Sequence, residues 1–277
     1  MAIFQSVQSG NFDDPATWDL GAVPDLASDD VVVNPGHEVV IGANLDLSMS
    51  ADRLLVVVGS GMLRIQGGLA ITDSYVWASG TIISEGTHLT LGSAADLSIQ
   101  PTGSLQVTTA CYFEATATAT IEGQFIVAAG GDVQVDFGAA LTLEVGASWS
   151  NDGDVQCRGQ VTIRDDFSIE NAGTVTIDTN GLLEVTFDGA LFVLGTLDVS
   201  SNGRIDLFGY FELDANGVLS VGAGGLIRVH QDIHLSGRMT GGGRIDMLRR
   251  EGRILDGNGQ SLIALDRAYG YSKTLVA

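Results

Sequence analysis

The sequence predicts an all-β fold, a right-handed parallel β-solenoid built from three short strands per coil of about 22 residues. Three observations predict it. A five-residue pattern of glycine, any residue, apolar, polar, apolar recurs along the chain. Its spacing keeps a three-beat register. Glycine is frequent at 37 residues and proline scarce at 4, which suits many tight corners between hydrogen-bonded strands. Glycine takes positive φ at little cost, whereas proline removes a ladder donor. The 45% hydrophobic content is enough for a sizeable core and argues against disorder. Proline is too scarce, and no three-residue glycine period is present, for collagen.

The pattern first appears as Gly61-Met62-Leu63-Arg64-Ile65 and Gly103-Ser104-Leu105-Gln106-Val107. It returns at Gly159, Gly173, Gly181, Gly195, Gly203, Gly209, Gly217, Gly225 and Gly243, with a polar residue in fourth place each time. Strict alternation over so short a run means a half-buried strand whose third and fifth residues point inward. A helix would need apolar residues three and four apart, and no segment sustains that spacing.

Every third glycine mark gives Gly153, Gly173, Gly195 and Gly217, and then Gly159, Gly181, Gly203 and Gly225. The coil is therefore about 22 residues, and the stack runs from Val31 to Met247 in about ten coils. One such strand cannot bury its apolar face alone, but stacked coils bury a continuous core. The rival is an antiparallel sandwich, for which Asn180-Gly181, Asn202-Gly203 and Asn216-Gly217 would supply hairpin turns. The same dipeptides serve solenoid corners, and the regular register favours the solenoid because sandwich loops vary more in length.

Residues 1–30 have a different texture and are expected to form an N-terminal cap, followed by the solenoid over 31–247 and a C-terminal cap or docking segment over 248–277. Phe12 and Trp18 are the cap candidates, large apolar side chains able to cover the open end of the first coil. An uncovered parallel edge would be an aggregation site. His37 is expected to be a turn residue bonding its own loop.

The N-terminal block contains Asp14-Pro15-Ala16-Thr17-Trp18, Val23-Pro24, Asp29-Asp30 before a valine run, and Pro35-Gly36-His37. It resembles the opening of many bacterial cell-surface and phage-tail β-helix proteins. It is also similar to the start of the eight-glycine extracellular domain of hyaluronan-handling and ciliary surface proteins. The resemblance covers about the first 70 residues. It implies the solenoid architecture and a surface or virion setting, while such openings sit on proteins of many roles.

The formal charge is −21, and Lys273 is the only lysine. Such a field repels nucleic acid and anionic membranes, so neither is an expected partner. Cys111 and Cys157 are too few for a disulfide framework and read as small buried core residues. The opening Met1-Ala2-Ile3-Phe4-Gln5-Ser6 has neither the basic region nor the apolar run of a secretory leader. Either a leader has been removed or the protein reaches its site without secretion, as virion proteins do. The longest apolar run, Leu54 to Val58, is far short of a membrane span.

His230 and His234 would share one strand face about 13 Å apart, too far to share an ion. Asp256-Gly257-Asn258-Gly259 is only a fragment of a calcium loop. No cofactor is expected, a surface calcium being the one ion the acidity would favour. Carbohydrate chemistry needs two carboxylates about 5–9.5 Å apart. Asp165 and Asp166 should face opposite sides of a strand, and Glu184, Asp198, Asp206 and Glu212 should be spread over different faces and coils. Thr116, Thr118 and Thr120 alternate as an ice-binding strand would, but the triplet does not recur one coil away.

The two ends differ in charge. Residues 1–30 carry Asp13, Asp14, Asp19, Asp25, Asp29 and Asp30 with no basic residue. Residues 244–277 carry a net +2 through Arg244, Arg249, Arg250, Arg253, Arg267 and Lys273. Head-to-tail assembly would pair Asp13, Asp14, Asp29 and Asp30 with Arg249, Arg250, Arg253 and Arg267 of another copy or a second protein. The expected function is thus a non-catalytic structural or adhesive protein, foremost a phage virion component such as a tail fibre, spike or decoration. The partners expected are other protein subunits, with self-association, and surface glycans. The alternatives are a subunit of a bacterial extracellular filament or surface adhesin, and a polysaccharide-active hydrolase or lyase.

Overall fold

The computed structural model describes residues 2–49, 52–170 and 172–248, together with the strands Ile254–Leu255, Ser261–Ile263 and Tyr271–Thr274. Strands of mostly four residues follow one another through three sheets, and between Asp30–Val33 and Arg244–Met247 paired strands stand three places apart. In the first sheet Val161 faces Leu183, Leu183 faces Ile205, and Ile205 faces Ile227, each step 22 residues. From Asp30–Val33 onward the step varies between 18 (Ile227 to Ile245) and 24 (Phe125 to Trp149), and the two N-terminal strands stand 27 and 29 residues from their partners. The chain is a parallel β-solenoid of about ten coils, on the order of 50 Å long at about 4.8 Å per coil. Consecutive strands do not pair as hairpins in the stack, which removes the sandwich.

The first sheet starts with Ile3–Gln5, Asp30–Val33 and Leu54–Val57; the second with Gly10–Asn11, Glu38–Ile41 and Met62–Ile65; the third with Asp46–Met49 and Gly68–Ile71. At the far end the direction reverses. Tyr271–Thr274 pairs antiparallel with Arg244–Met247, and Ser261–Ile263 pairs antiparallel with Ile254–Leu255.

Alternation sets the core. In Leu182–Val185, Leu183 and Val185 are fully buried while Leu182 and Glu184 look outward. Burying each such side chain is worth about 1.5–3 kcal/mol relative to leaving it exposed. The largest fully buried side chains are Phe113, Phe125, Phe167 and Phe211. Inside the second sheet Trp149 lies between Phe125 and Phe167, with ring centroids 5.1 and 3.9 Å away.

The motif glycines serve a purpose other than the one expected. At the Asn180-Gly181 and Asn202-Gly203 corners the left-handed residues are the asparagines, at φ +66° and +64°. The following glycine leaves room for the preceding coil. A Cβ on Gly181 would lie 2.1 Å from the carbonyl oxygen of Cys157, and one on Gly203 would lie 2.3 Å from that of Ile177. Asparagine tolerates the left-handed region through local hydrogen bonding, and glycine alone tolerates the backbone approach.

Residues 1–30 join the stack. Ile3–Gln5 and Gly10–Asn11 add one strand each to the first and second sheets. A 3-10 turn, Pro15–Thr17, follows, capped by the Asp14 carboxylate accepting the Ala16 N–H at 2.9 Å. Phe12 and Trp18 are buried, their rings 5.3 Å apart edge to face, and Trp18 Nε1 donates to the Phe12 carbonyl at 2.8 Å. His37 bonds its own loop, its N–H donated to the Asn34 carbonyl at 3.2 Å, and its ring also bonds Ser6, Nδ1 to Oγ at 2.9 Å, which ties the first full coil to this segment.

Candidate binding faces

Outward residues form ranks running along the axis, one residue per coil. In the first sheet one rank reads Asp30, Leu54, Tyr75, Asp96, Thr118, and the rank beside it reads Val32, Val56, Trp77, Ser98, Thr120. Tyr75 and Trp77 flank the buried Val76 on one strand, so alternation turns both rings outward. They line a shallow depression with Leu54, Val56, Asp96 and Ser98. The Asp96 carboxylate accepts the Thr118 hydroxyl at 3.0 Å, and Ser98 Oγ accepts the Gln100 side-chain N–H at 2.8 Å. The sequence signal for this face is the Tyr75-Val76-Trp77 alternation.

A second aromatic group follows the corner between the first and second sheets. Phe187 is 70% exposed and lies 5.4 Å from Phe208, which stacks on His230 at 4.0 Å. On the adjoining strands Tyr210 lies 5.7 Å from Phe192 and 5.3 Å from His234. Tyr210 donates its hydroxyl to Glu212 at 2.7 Å; desolvation first, and then that carboxylate, push the phenol up to about 12. The two histidines therefore do not share a strand face as expected. Leu226–Val229 ends before His230, which turns the corner, and His234 lies on the next sheet within Ile233–Leu235.

The outward acids are also placed differently from expectation. Glu184 and Asp206 are register partners on adjacent strands of the first sheet, with Arg228 next in the same rank. Arg204 in the neighbouring rank grips the Asp206 carboxylate, one bond from Nε at 2.8 Å and a second from Nη2, and the Arg204 guanidinium is raised by that contact. Arg64 bridges coils likewise, to Glu38 at 2.6 Å and Glu85 at 2.7 Å. Arg158 reaches Asp178 at 3.0 Å, and that carboxyl is held below the usual carboxylate range by the Thr179 N–H and by Arg158. Thr116 stands at a corner with φ +68°, outside the strand Thr118–Ile121.

Of the acids expected at an assembly contact, Asp13 is exposed, while the others have partners within the chain. Asp14 caps the 3-10 turn. Asp29 accepts from the backbone of Ala2 and Asp25, which lowers its carboxyl. Asp30 is buried, accepts the Leu54 N–H at 3.0 Å and faces Arg53 at 3.8 Å. Arg249, Arg250, Arg253 and Arg267 lie outside the described residues, as does the segment Asp256 to Gly259. Among the described residues no three His, Cys, Asp or Glu side chains converge on a point that would hold a metal ion. Nor is any helix there long and apolar enough to cross a membrane. Both cysteines are buried, and desolvation raises both thiols, Cys157 to about 12.

No family model and no curated protein sequence matches the chain. Among solved structures it is similar to the TibC-catalysed hyper-glycosylated fragment of TibA, at 14% identity and a TM-score of 0.22, over 87% of this chain and 97% of that one.

Proposed function

We propose that the chain is a non-catalytic structural and adhesive solenoid, a stiff shaft that presents aromatic faces to a surface outside the cell. The observation that carries this reading is the division of its side chains. Apolar residues fill a continuous interior, yet Tyr75, Trp77, Phe187 and Tyr210 are turned outward in two groups. Tyrosine and tryptophan turned outward in groups offer an apolar body with a polar tip, the combination enriched at binding faces. The carrier is a virion, as tail fibre, spike or decoration protein, or a bacterial surface, as filament subunit or adhesin; the demand on the shaft is the same. Other protein subunits and surface glycans are the partners this assigns.

The non-catalytic part rests on the chemistry of the outward acids. Glu184 and Asp206 are close enough for glycosidase geometry, one coil step of about 4.8 Å apart. They stand on a flat sheet face, however, and Arg204 engages both oxygens of Asp206. Both oxygens of Asp206 are thus taken up by Arg204 rather than turned to a substrate. The test is to incubate the full chain with polysaccharide-coated beads and with host cells, assaying retention and released reducing ends together. Retention without product is expected. Product formation abolished by Glu184→Gln would overturn the reading.

A further inference from the structure

The aromatic pair at the N-terminal end of the first sheet has a geometry that selects its ligand. Tyr75 is 52% and Trp77 36% exposed, side by side on one strand. Leu54 and Val56 flank them on one coil, and Asp96 and Ser98 on the next. The apolar part is small. Along the Tyr75 rank it is bounded by Asp30 and Asp96, and along the Trp77 rank it runs from Val32 to Trp77 and ends at Ser98, so it spans two to three coils, about 10–15 Å. Across the strand it is two outward residues wide, about 7 Å. A stable contact between two proteins needs roughly 800 Å² per partner, many times this footprint. A second copy laid over it would also bury the Asp96 carboxylate against apolar groups, which is unfavourable.

A sugar ring meets both conditions. The electron-rich faces of tyrosine and tryptophan attract the polarised C–H groups of a pyranose. The hydroxyls at the ring's edge can donate to Asp96 and exchange hydrogen bonds with Ser98. No cation lines the depression, and the chain carries −21, so an acidic sugar is repelled and a neutral one is not. We infer that Tyr75 and Trp77, with Asp96 and Ser98, form a subsite for one or two rings of a neutral glycan. This deepens the adhesive reading and rests on it.

The three tryptophans make the test clean. Trp18 and Trp149 are 2% and 3% exposed, so Trp77 is the accessible indole. The probes are maltohexaose, cellohexaose and chitohexaose, with oligogalacturonate as the anionic control. The expected result is that at least one neutral hexaose shifts the emission of Trp77 and slows its oxidation by N-bromosuccinimide, while the control does neither. Tyr75→Ala should weaken that binding about tenfold or more, which is about 1.4 kcal/mol. Trp77→Ala, read by saturation-transfer NMR on the sugar, should abolish it, with circular dichroism confirming the fold of both variants. Failure of all three hexaoses, or binding indifferent to both substitutions, overturns the subsite. So does protection of Trp77 that grows with protein concentration without sugar, which would mean a second copy covers the face. Retention on cells that persists in both variants would leave the adhesive reading intact and remove this site alone.

Discussion

Trp149 lies nearly flat on Phe167 across one coil step, their centroids 3.9 Å apart and their planes 18° from parallel. The pair occupies the interior, where a missing ring leaves a cavity that neighbouring coils cannot fill. Trp149→Ala is therefore expected to lower unfolding free energy by about 3–5 kcal/mol. Trp149→Phe should cost much less, below about 1.5 kcal/mol. The indole Nε1 is buried without a hydrogen-bond partner, and phenylalanine removes that unsatisfied donor while keeping a ring. Guanidinium unfolding of the two variants checks the order.

The corner glycines divide backbone roles between neighbours. Gly181→Ala places a methyl 2.1 Å from the Cys157 carbonyl oxygen, a backbone atom that moves only if the coils part. A loss at or above the 1–3 kcal/mol usual for overpacking is expected, roughly. Asn180→Gly should change stability far less, since glycine also accepts the left-handed conformation there. Thermal melts of the two variants should differ clearly, and equal melting temperatures would show that the close approach is not what the glycine is for.

Much of this was legible in the sequence, for a physical reason. A strand buried on one face writes alternation directly into the chain, and a coil length near 22 then places residues in axial ranks. Those rules predicted the core positions Leu183, Val185 and Ile205. The same register, applied to outward residues, would have made Glu184 and Asp206 neighbours, because they stand one coil step apart. Corners resisted such reading. They absorb the variation in coil length, so nothing periodic marked His230 as leaving the strand or Thr116 as a left-handed turn residue. The exposed ring of Phe187 and the half-buried ring of Phe208 sit in that same corner column.

The cysteines make stability fall at alkaline pH. Desolvation raises the Cys157 thiol from 9.0 to about 12, and the Cys111 thiol moves the same way. The folded state then holds protons that the unfolded chain releases above about pH 9, so the unfolded state binds fewer protons and stability declines as pH rises. The contribution is fully present below pH 9 and is lost towards pH 12. Melting temperature should drop between pH 8 and 11, and the double variant Cys111→Ala with Cys157→Ala should show a shallower drop relative to its own neutral value. Iodoacetamide should leave both thiols unmodified at pH 8 until denaturant is added. Rapid labelling of the native chain would contradict the burial.

A solenoid contacts only neighbouring coils, so damage at one end should remain there. Trp18 packs against Phe12 and Phe4, with centroids 5.3 and 6.5 Å away, and its Nε1–H satisfies the Phe12 carbonyl. Trp18→Ala removes this packing and leaves that carbonyl without its donor. The strands Ile3–Gln5 and Gly10–Asn11, held by single ladders to Asp30–Val33 and Glu38–Ile41, should then open locally. Hydrogen exchange read by mass spectrometry is expected to show fast exchange over residues 3–18 and wild-type protection from Gln124–Val127 onward. Loss of protection along the whole stack would mean that the end coil nucleates the rest, and that the coils are not the independent near-neighbour units their pairing describes.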